Sequence, residues 1–203
     1  MSEQDDFAVV GSDTVYSGSL ITVRADRVRI GGAAPVTRET VAHPGAVGIV
    51  ALDEDGRVVL VNQYRHPVRA RLDELPAGIL DVDGESALSA AQRELAEEAK
   101  LEADDWAVLV DIFSSPGFSD EAVRIFLARG LREHNDPDFR PEHEERSLTI
   151  SREPLSEAVR RVLTGSITNA AAAAGLLAAV HGRATGWRDL RPADAPWPAR
   201  PGR

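Results

Sequence analysis

The chain has 203 residues, 43% of them apolar and 28% charged, with a formal net charge of −10 and no cysteine. That balance is ordinary for a soluble globular protein, suits one medium domain with an appended element, and argues against nucleic acid as the main partner. The lack of cysteine excludes disulfides, thiol catalysis and thiolate-bound zinc, and fits a reducing compartment.

Residues 1–12 show no periodic pattern and are expected to fray. The start is acidic and carries no apolar run of the secretory kind, so the expected location is the cytoplasm. From residue 15 to 43 the pattern is strand-like. Two alternating arms, 20–30 and 36–41, flank Gly31-Gly32-Ala33-Ala34-Pro35, which predicts an antiparallel β ribbon. A two-arm ribbon cannot bury Leu20, Val23 and Val28 by itself, so it must pack on something, such as a second subunit.

A second hairpin is predicted from 46–52 and 58–62 around Asp53-Glu54-Asp55-Gly56. Residues 63–78 then lead into an acidic helix. Strand candidates at 106–113 and 122–128 flank a loop at 114–121. A polar segment, 133–146, precedes a strand at 147–151, and helices are predicted at 154–163 and 169–181. The most apolar run, 170–180, is too short to span a membrane and is dominated by alanine, so it reads as a buried helix. From residue 186 onward Pro, Arg and Asp recur without period, which predicts a loose tail. Mixed strands with a few helices indicate an α+β or α/β/α sandwich. The predicted organisation is a ribbon at 1–43, a main domain at 44–185 and a Pro/Arg-rich tail at 186–203.

The acidic helix carries the chemistry. At about 100° per residue, Glu94, Glu97 and Glu98 share one sector, while Leu88, Ala91, Leu95 and Ala99 occupy the next and can pack on a sheet. The acids lie in the C-terminal half of the helix, where the macrodipole disfavours anions, and like charges at i,i+4 cost roughly 0.2–0.5 kcal/mol per pair. Solubility alone would be served better by acids in the first turn. Clustered oxygen ligands on a rigid helix suit a hard divalent cation such as Mg²⁺. The plain alternative is a solvated acidic face with an Arg93–Glu97 pair, and the flanks decide against it.

With Gly78 and Glu85 upstream, the stretch resembles the signature of the Nudix hydrolases, Gly-x5-Glu-x7-Arg-Glu-U-x-Glu-Glu-x-Gly-U, where U is aliphatic. Two positions depart from it: six residues rather than five separate Gly78 from Glu85, and Lys100 replaces the late glycine. A glycine there serves as a left-handed C-cap, which lysine adopts at a steric cost. The resemblance implies a Nudix-like α/β/α sandwich with a mixed sheet. It also implies Mg²⁺, with Mn²⁺ as the alternative, held by Glu94 and Glu98, by Glu97 directly or through water, and by the Ala77 carbonyl. Arg93 then orients carboxylates and Glu85 is a structural partner.

Outside the signature, residues 15–182 resemble the ADP-ribose pyrophosphatases. Arg38-Glu39, Gln63-Tyr64-Arg65, Glu74-Leu75-Pro76-Ala77-Gly78 and the loop Ser115-Pro116-Gly117-Phe118-Ser119-Asp120-Glu121 carry that likeness. It implies Arg65 on the diphosphate, Arg38 on the adenosine side, and Ser119 or Glu121 on the terminal ribose. A glutamate before the corresponding strand handles the attacking water in that subfamily, which makes Glu144 and Glu145, within Glu142-His143-Glu144-Glu145, the candidates for general base.

The expected reaction is Mg²⁺-dependent hydrolysis of ADP-ribose to AMP and ribose 5-phosphate. Rival readings are another nucleotide sugar or an oxidised nucleotide as substrate, or a non-catalytic nucleotide-binding regulatory module; the intact acidic set favours the enzyme. The related pyrophosphatases exchange the N-terminal ribbon between subunits, so a homodimer is expected, with no nucleic-acid or membrane partner.

Overall fold

Residues 46–52 are apolar at every position, a pattern that suits a strand covered on both faces. The computed structural model describes residues 7–134 and 148–200. Its elements begin with β1 (Phe7–Ser17), β2 (Thr22–Ile30), β3 (Val36–Ala42), β4 (Ala46–Ala51), β5 (Arg57–Arg65), β6 (Ala70–Glu74) and β7 (Ala77–Ile79). They continue with α1 (Ala87–Ala99), β8 (Leu101–Phe113), β9 (Ala122–Glu133), β10 (Thr149–Pro154), α2 (Leu155–Leu163), α3 (Ala170–Ala184) and a two-residue β11 (Arg191–Pro192). Two compact units result: Met1–Gly45 with Phe113–Ala122 and Arg200–Arg203, and Ala46–Ile112 with Val123–Ala199.

In the second unit, β4 lies inside a mixed sheet ordered β11-β8-β9-β4-β7, parallel to β9 and antiparallel to β7. The period of two splits its side chains between two cores. Val47, Ile49 and Ala51 join Phe126 and Ala128 of β9 beneath Ala90, Ala91, Leu95 and Ala99 of α1. Val50 joins Ile125 and Leu127 against Leu155 and Ala158 of α2 and Ala172, Leu176 and Ala179 of α3. Helix, sheet and helix therefore form three layers. The small residues of α3 permit close approach: a Cβ on Gly175 would lie 2.9 Å from Leu75 and 3.1 Å from Val50.

The predicted hairpin at 46–62 closes its turn and then opens. Gly56 N–H donates to the Asp53 carbonyl at 3.0 Å, and Leu52 and Val58 form an isolated antiparallel bridge. Beyond it β5 leaves for a second sheet, ordered β10-β5-β6, because both edges of β4 are occupied by β9 and β7. In the first unit the ribbon has three strands rather than two arms, ordered β1-β2-β3 and antiparallel throughout. Residues from Phe7 to Ser12, expected to fray, belong to β1. Among the described residues no helix is long and apolar enough to cross a membrane.

The stretch from residue 186, expected to be a loose tail, is seated on the second unit. β11 pairs with Val108 and Ala107 of β8. Arg124 of β9, only 2% exposed, donates to the carbonyls of Ala195 at 2.6 Å and Pro196 at 3.1 Å, and forks onto Asp111 at 2.8 and 3.0 Å. The Trp197 ring lies under the same guanidinium, 4.8 Å from its centre. Burial pushes the Asp111 carboxyl up, but Arg124 and Arg191 more than offset it and hold it below the usual carboxylate range. The tail thus completes the hydrogen bonding of a buried cation.

Deleting residues 191–203 removes two carbonyl acceptors from Arg124. At about 1–3 kcal/mol for each hydrogen bond of a buried polar group left unmade, urea denaturation should show a loss of about 2–6 kcal/mol. A loss below about 0.5 kcal/mol, the range of an ordinary surface change, would show that the tail does not brace the sheet.

Candidate active site

Helix α1 starts at Ser86, whose hydroxyl accepts from Ser89 N–H at 3.0 Å. It ends at Lys100, which stands in the left-handed conformation at φ 56° and ψ 39°. The lysine at the glycine position therefore keeps the glycine's backbone shape, at a cost of about 1–2 kcal/mol. Its ammonium donates to the Glu97 carbonyl at 2.7 Å, an interaction favourable at a helix C-terminus. The extra residue between Gly78 and Glu85 is taken up by a turn in which Glu85 N–H donates to the Val82 carbonyl and Gly84 adopts φ 80°.

Within this frame the carboxylates are fixed by different partners. Arg93 donates to both oxygens of Glu85 at 3.1 Å, to Glu94 at 2.6 Å and to Glu97 at 3.1 Å. The Glu85 hydrogen bonds, set against partial burial and joined by the Glu94 charge, hold the guanidinium well above its ordinary basicity. Glu98 accepts from Ala77 N–H at 2.9 Å, which ties the helix to β7. Glu94 and Glu98 are buried, each 9% exposed. Glu94 lies directly on Gly78: a Cβ there would fall 2.0 Å from its carboxyl carbon.

Among the described residues no group of three or more His, Asp or Glu side chains is gathered into a metal cage. The donor set still fits a hard divalent cation. It offers carboxylate oxygens on a rigid helix, with two of the carboxylates buried beside a glycine that leaves room for one of them.

Arg65, at the end of β5, forks onto Glu74 with contacts of 2.7, 3.1 and 3.2 Å. The sequence places Glu74 within a motif without assigning it a role. Its signal was an acid set between Leu72 and Leu75-Pro76, where a buried carboxylate demands a cationic partner.

Arg38, Ser119 and Glu121 belong to the first unit. There the loop 114–121 is stitched to β3: Val41 N–H donates to the Phe118 carbonyl at 2.7 Å and Asp120 N–H to the Val41 carbonyl at 3.1 Å. Ser119 Oγ accepts from Glu121 N–H at 3.1 Å. Glu121 accepts from the Ser114 hydroxyl and stands 3.7 Å from His43 Nδ1. Arg38, Thr40, Phe113, Pro116, Phe118 and Ser119 border an open cleft of about 350 Å³. The exposed rings of Phe113 and Phe118 were not anticipated. Glu144 and Glu145 lie outside the described residues.

A NUDIX domain model matches residues 42–164. The chain belongs to the Nudix hydrolase family. An ADP-ribose pyrophosphatase of Mycobacterium tuberculosis (strain ATCC 25618 / H37Rv) is 50% identical over 198 residues, covering 98% of this chain and 94% of that protein. An ADP-ribose pyrophosphatase of Bacillus subtilis (strain 168) is 35% identical over 122 residues, 60% of this chain and 65% of that one. A crystal structure of an ADP compounds hydrolase shares the fold with a TM-score of 0.75 at 24% identity, over 90% of this chain and 96% of its own. The Nudix fold is thus an α+β sandwich here, extended by an antiparallel three-stranded sheet.

In this Nudix hydrolase the contact between Gly78 and Glu94 generates a prediction. Gly78→Ala forces the Glu94 carboxyl, the far end of a flexible side chain, off its seat while β7 keeps its pairing. Hydrolytic turnover should fall roughly a hundredfold, the scale of a 1 Å misplacement, with a melting temperature within about 4 °C of the parent, about 1 kcal/mol for a domain this size. A fully active Gly78→Ala protein would show that the position of Glu94 is immaterial.

Proposed function

We propose that this protein hydrolyses the diphosphate of ADP-ribose, giving AMP and ribose 5-phosphate, in the cytoplasm. One observation carries the substrate: the mycobacterial relative named ADP-ribose pyrophosphatase is 50% identical along 98% of this chain. On this reading Glu94, Glu97, Glu98 and the Ala77 carbonyl hold Mg²⁺, with Mn²⁺ able to replace it. The cation supplies charge neutralisation for the diphosphate and Lewis acidity at phosphorus. The chain's own groups do the rest. Arg65 meets the diphosphate, Arg38 the adenosine side, and Ser119 or Glu121 the terminal ribose. Glu144 or Glu145 takes the proton of the attacking water. Arg93 keeps Glu94 and Glu97 aimed, without touching substrate.

The same reading includes a homodimer. Phe7 and Val9 of β1 are more than half exposed and stand opposite Ile30 and Val28 of β2, so these four share one face. An antiparallel sheet of three strands with such a face is covered most simply by a two-fold copy of itself. The proposed organisation keeps residues 1–43 as the dimerising ribbon, 44–185 as the hydrolase domain and 186–203 as the tail.

Chromatography of a panel of nucleoside diphosphate derivatives with Mg²⁺ should show ADP-ribose turned over fastest, with AMP and ribose 5-phosphate in equal amounts. Glu98→Gln should lower that rate by more than the roughly 10–100-fold typical of residues behind a metal ligand. Faster turnover of another nucleotide sugar would replace the substrate and keep the acid face; an unimpaired Glu98→Gln protein would remove the metal assignment.

Sedimentation should show a dimer at micromolar concentration. Mixing Arg38→Ala with Glu98→Gln chains should restore roughly a quarter of the parental activity, since half of randomly exchanged dimers carry one intact hybrid site. A fully active monomer would defeat the dimer, and a dimer without rescue would defeat the shared site.

A further inference from the structure

Glu74 and Arg65 form a lopsided pair. The carboxylate side chain is 3% exposed and the arginine side chain 41%. In the antiparallel register of β5 and β6, Val61 stands opposite Glu74 and Ala70 opposite Arg65. The two residues therefore share a face, because side chains alternate with a period of two, but lie four positions apart, roughly 13 Å along the strand. Arg65 cannot meet Glu74 by simple cross-strand pairing. Its side chain must run back along β5 past Gln63, itself 7% exposed, to the end of β6. That end lies three residues before Ala77, whose N–H holds Glu98.

A contribution to stability is a poor explanation for this arrangement. Burying a carboxylate costs several kcal/mol, and well-packed apolar side chains often replace such pairs without loss. What the pair does provide is direction. Nε and one terminal nitrogen are both committed to Glu74, which fixes the plane of the guanidinium as a single ion contact would not. We infer that Glu74 is a positioning residue, whose buried carboxylate holds the Arg65 guanidinium in the orientation that receives the substrate diphosphate. The inference rests on the reading above that Arg65 meets the diphosphate.

Simple electrostatics and positioning give opposite signs. Removing a negative charge beside a polyanion site should tighten anion binding, whereas releasing the arginine should weaken it. The test uses Glu74→Gln, which removes the charge, and Glu74→Asp, which keeps it but shortens the reach by one methylene. KM and kcat for ADP-ribose are measured with Mg²⁺, and binding of inorganic pyrophosphate with Mg²⁺ is followed by calorimetry. Both variants should raise KM and weaken pyrophosphate binding by about tenfold or more, as loss of a preset geometry does, with kcat changed less than KM. In an Arg65→Lys background neither change should add to the loss already present, because residues acting through one another are not additive.

Should the parent protein not turn over ADP-ribose, the substrate reading fails and the pyrophosphate titration still decides the role of Glu74. Unchanged or tighter pyrophosphate binding in a folded Glu74→Asp or Glu74→Gln protein overturns the inference. So do full additivity with Arg65→Lys and a parent protein that binds no pyrophosphate. If Glu74→Gln does not fold, the Glu74→Asp protein decides between the two signs by itself.

Discussion

Holding several carboxylates together on one short stretch of chain requires a cation that reaches them all and never loses its charge. Arg93 meets that requirement. It bonds Glu85 on the preceding loop and Glu94 and Glu97 on its own helix. The Glu85 hydrogen bonds in particular raise its basicity further, so the clamp does not titrate in any physiological range. A lysine offers a point charge and could not fork onto Glu85 while also reaching the next two acids. Because Arg93 spans loop and helix, one interaction fixes both the start of α1 and the direction of its acids.

The sheet turns that local clamp into a rigid platform. α1 is anchored through Ala90, Ala91, Leu95 and Ala99 on the strands beneath it, and alanines at three of these four positions bring helix and sheet close. Two contacts then reach across to β7, Glu98 onto the Ala77 N–H and Glu94 onto Gly78. Lys100 closes the far end in a left-handed turn. Its strain is tolerable because the flanking helix and β8, which begins at Leu101, fix the chain on either side. Sites carried on regular elements hold their geometry better than sites on loops.

How much of this was legible in the sequence follows from the range of each interaction. The acid face was, because a period of 3.6 is local, and so was the i,i+4 spacing that lets Arg93 reach Glu97; the fork of Arg93 onto Glu85 was not. The layered sandwich was legible only as a class, from mixed strands with a few helices and from the family resemblance. β1 was not, because register shifts between Val9 and Gly11 and between Thr14 and Tyr16 break its alternation. The tail was missed for a related reason: its backbone carbonyls, which carry no sequence signature, do much of the binding to Arg124. The parting of β4 from β5 and the reach of Arg65 to Glu74 depend on which strands become neighbours, and local pattern does not report that. The base candidates Glu144 and Glu145 rest on sequence alone.

Charge sets the remaining constraint on the proposed chemistry. A chain of formal charge −10 that takes a diphosphate must invert its own field at the site. Arg93 cannot do this, since its guanidinium is spent on three carboxylates of the same chain. Arg65 answers one buried acid before it can answer a phosphate. On the proposed reading divalent cations supply much of that inversion, and the carboxylates that would repel a bare diphosphate are the groups that would recruit them. Metal and substrate binding are then thermodynamically linked, each raising the affinity for the other by the same factor. On this account the acid face discriminates against free anions and admits a diphosphate only together with its counter-ions.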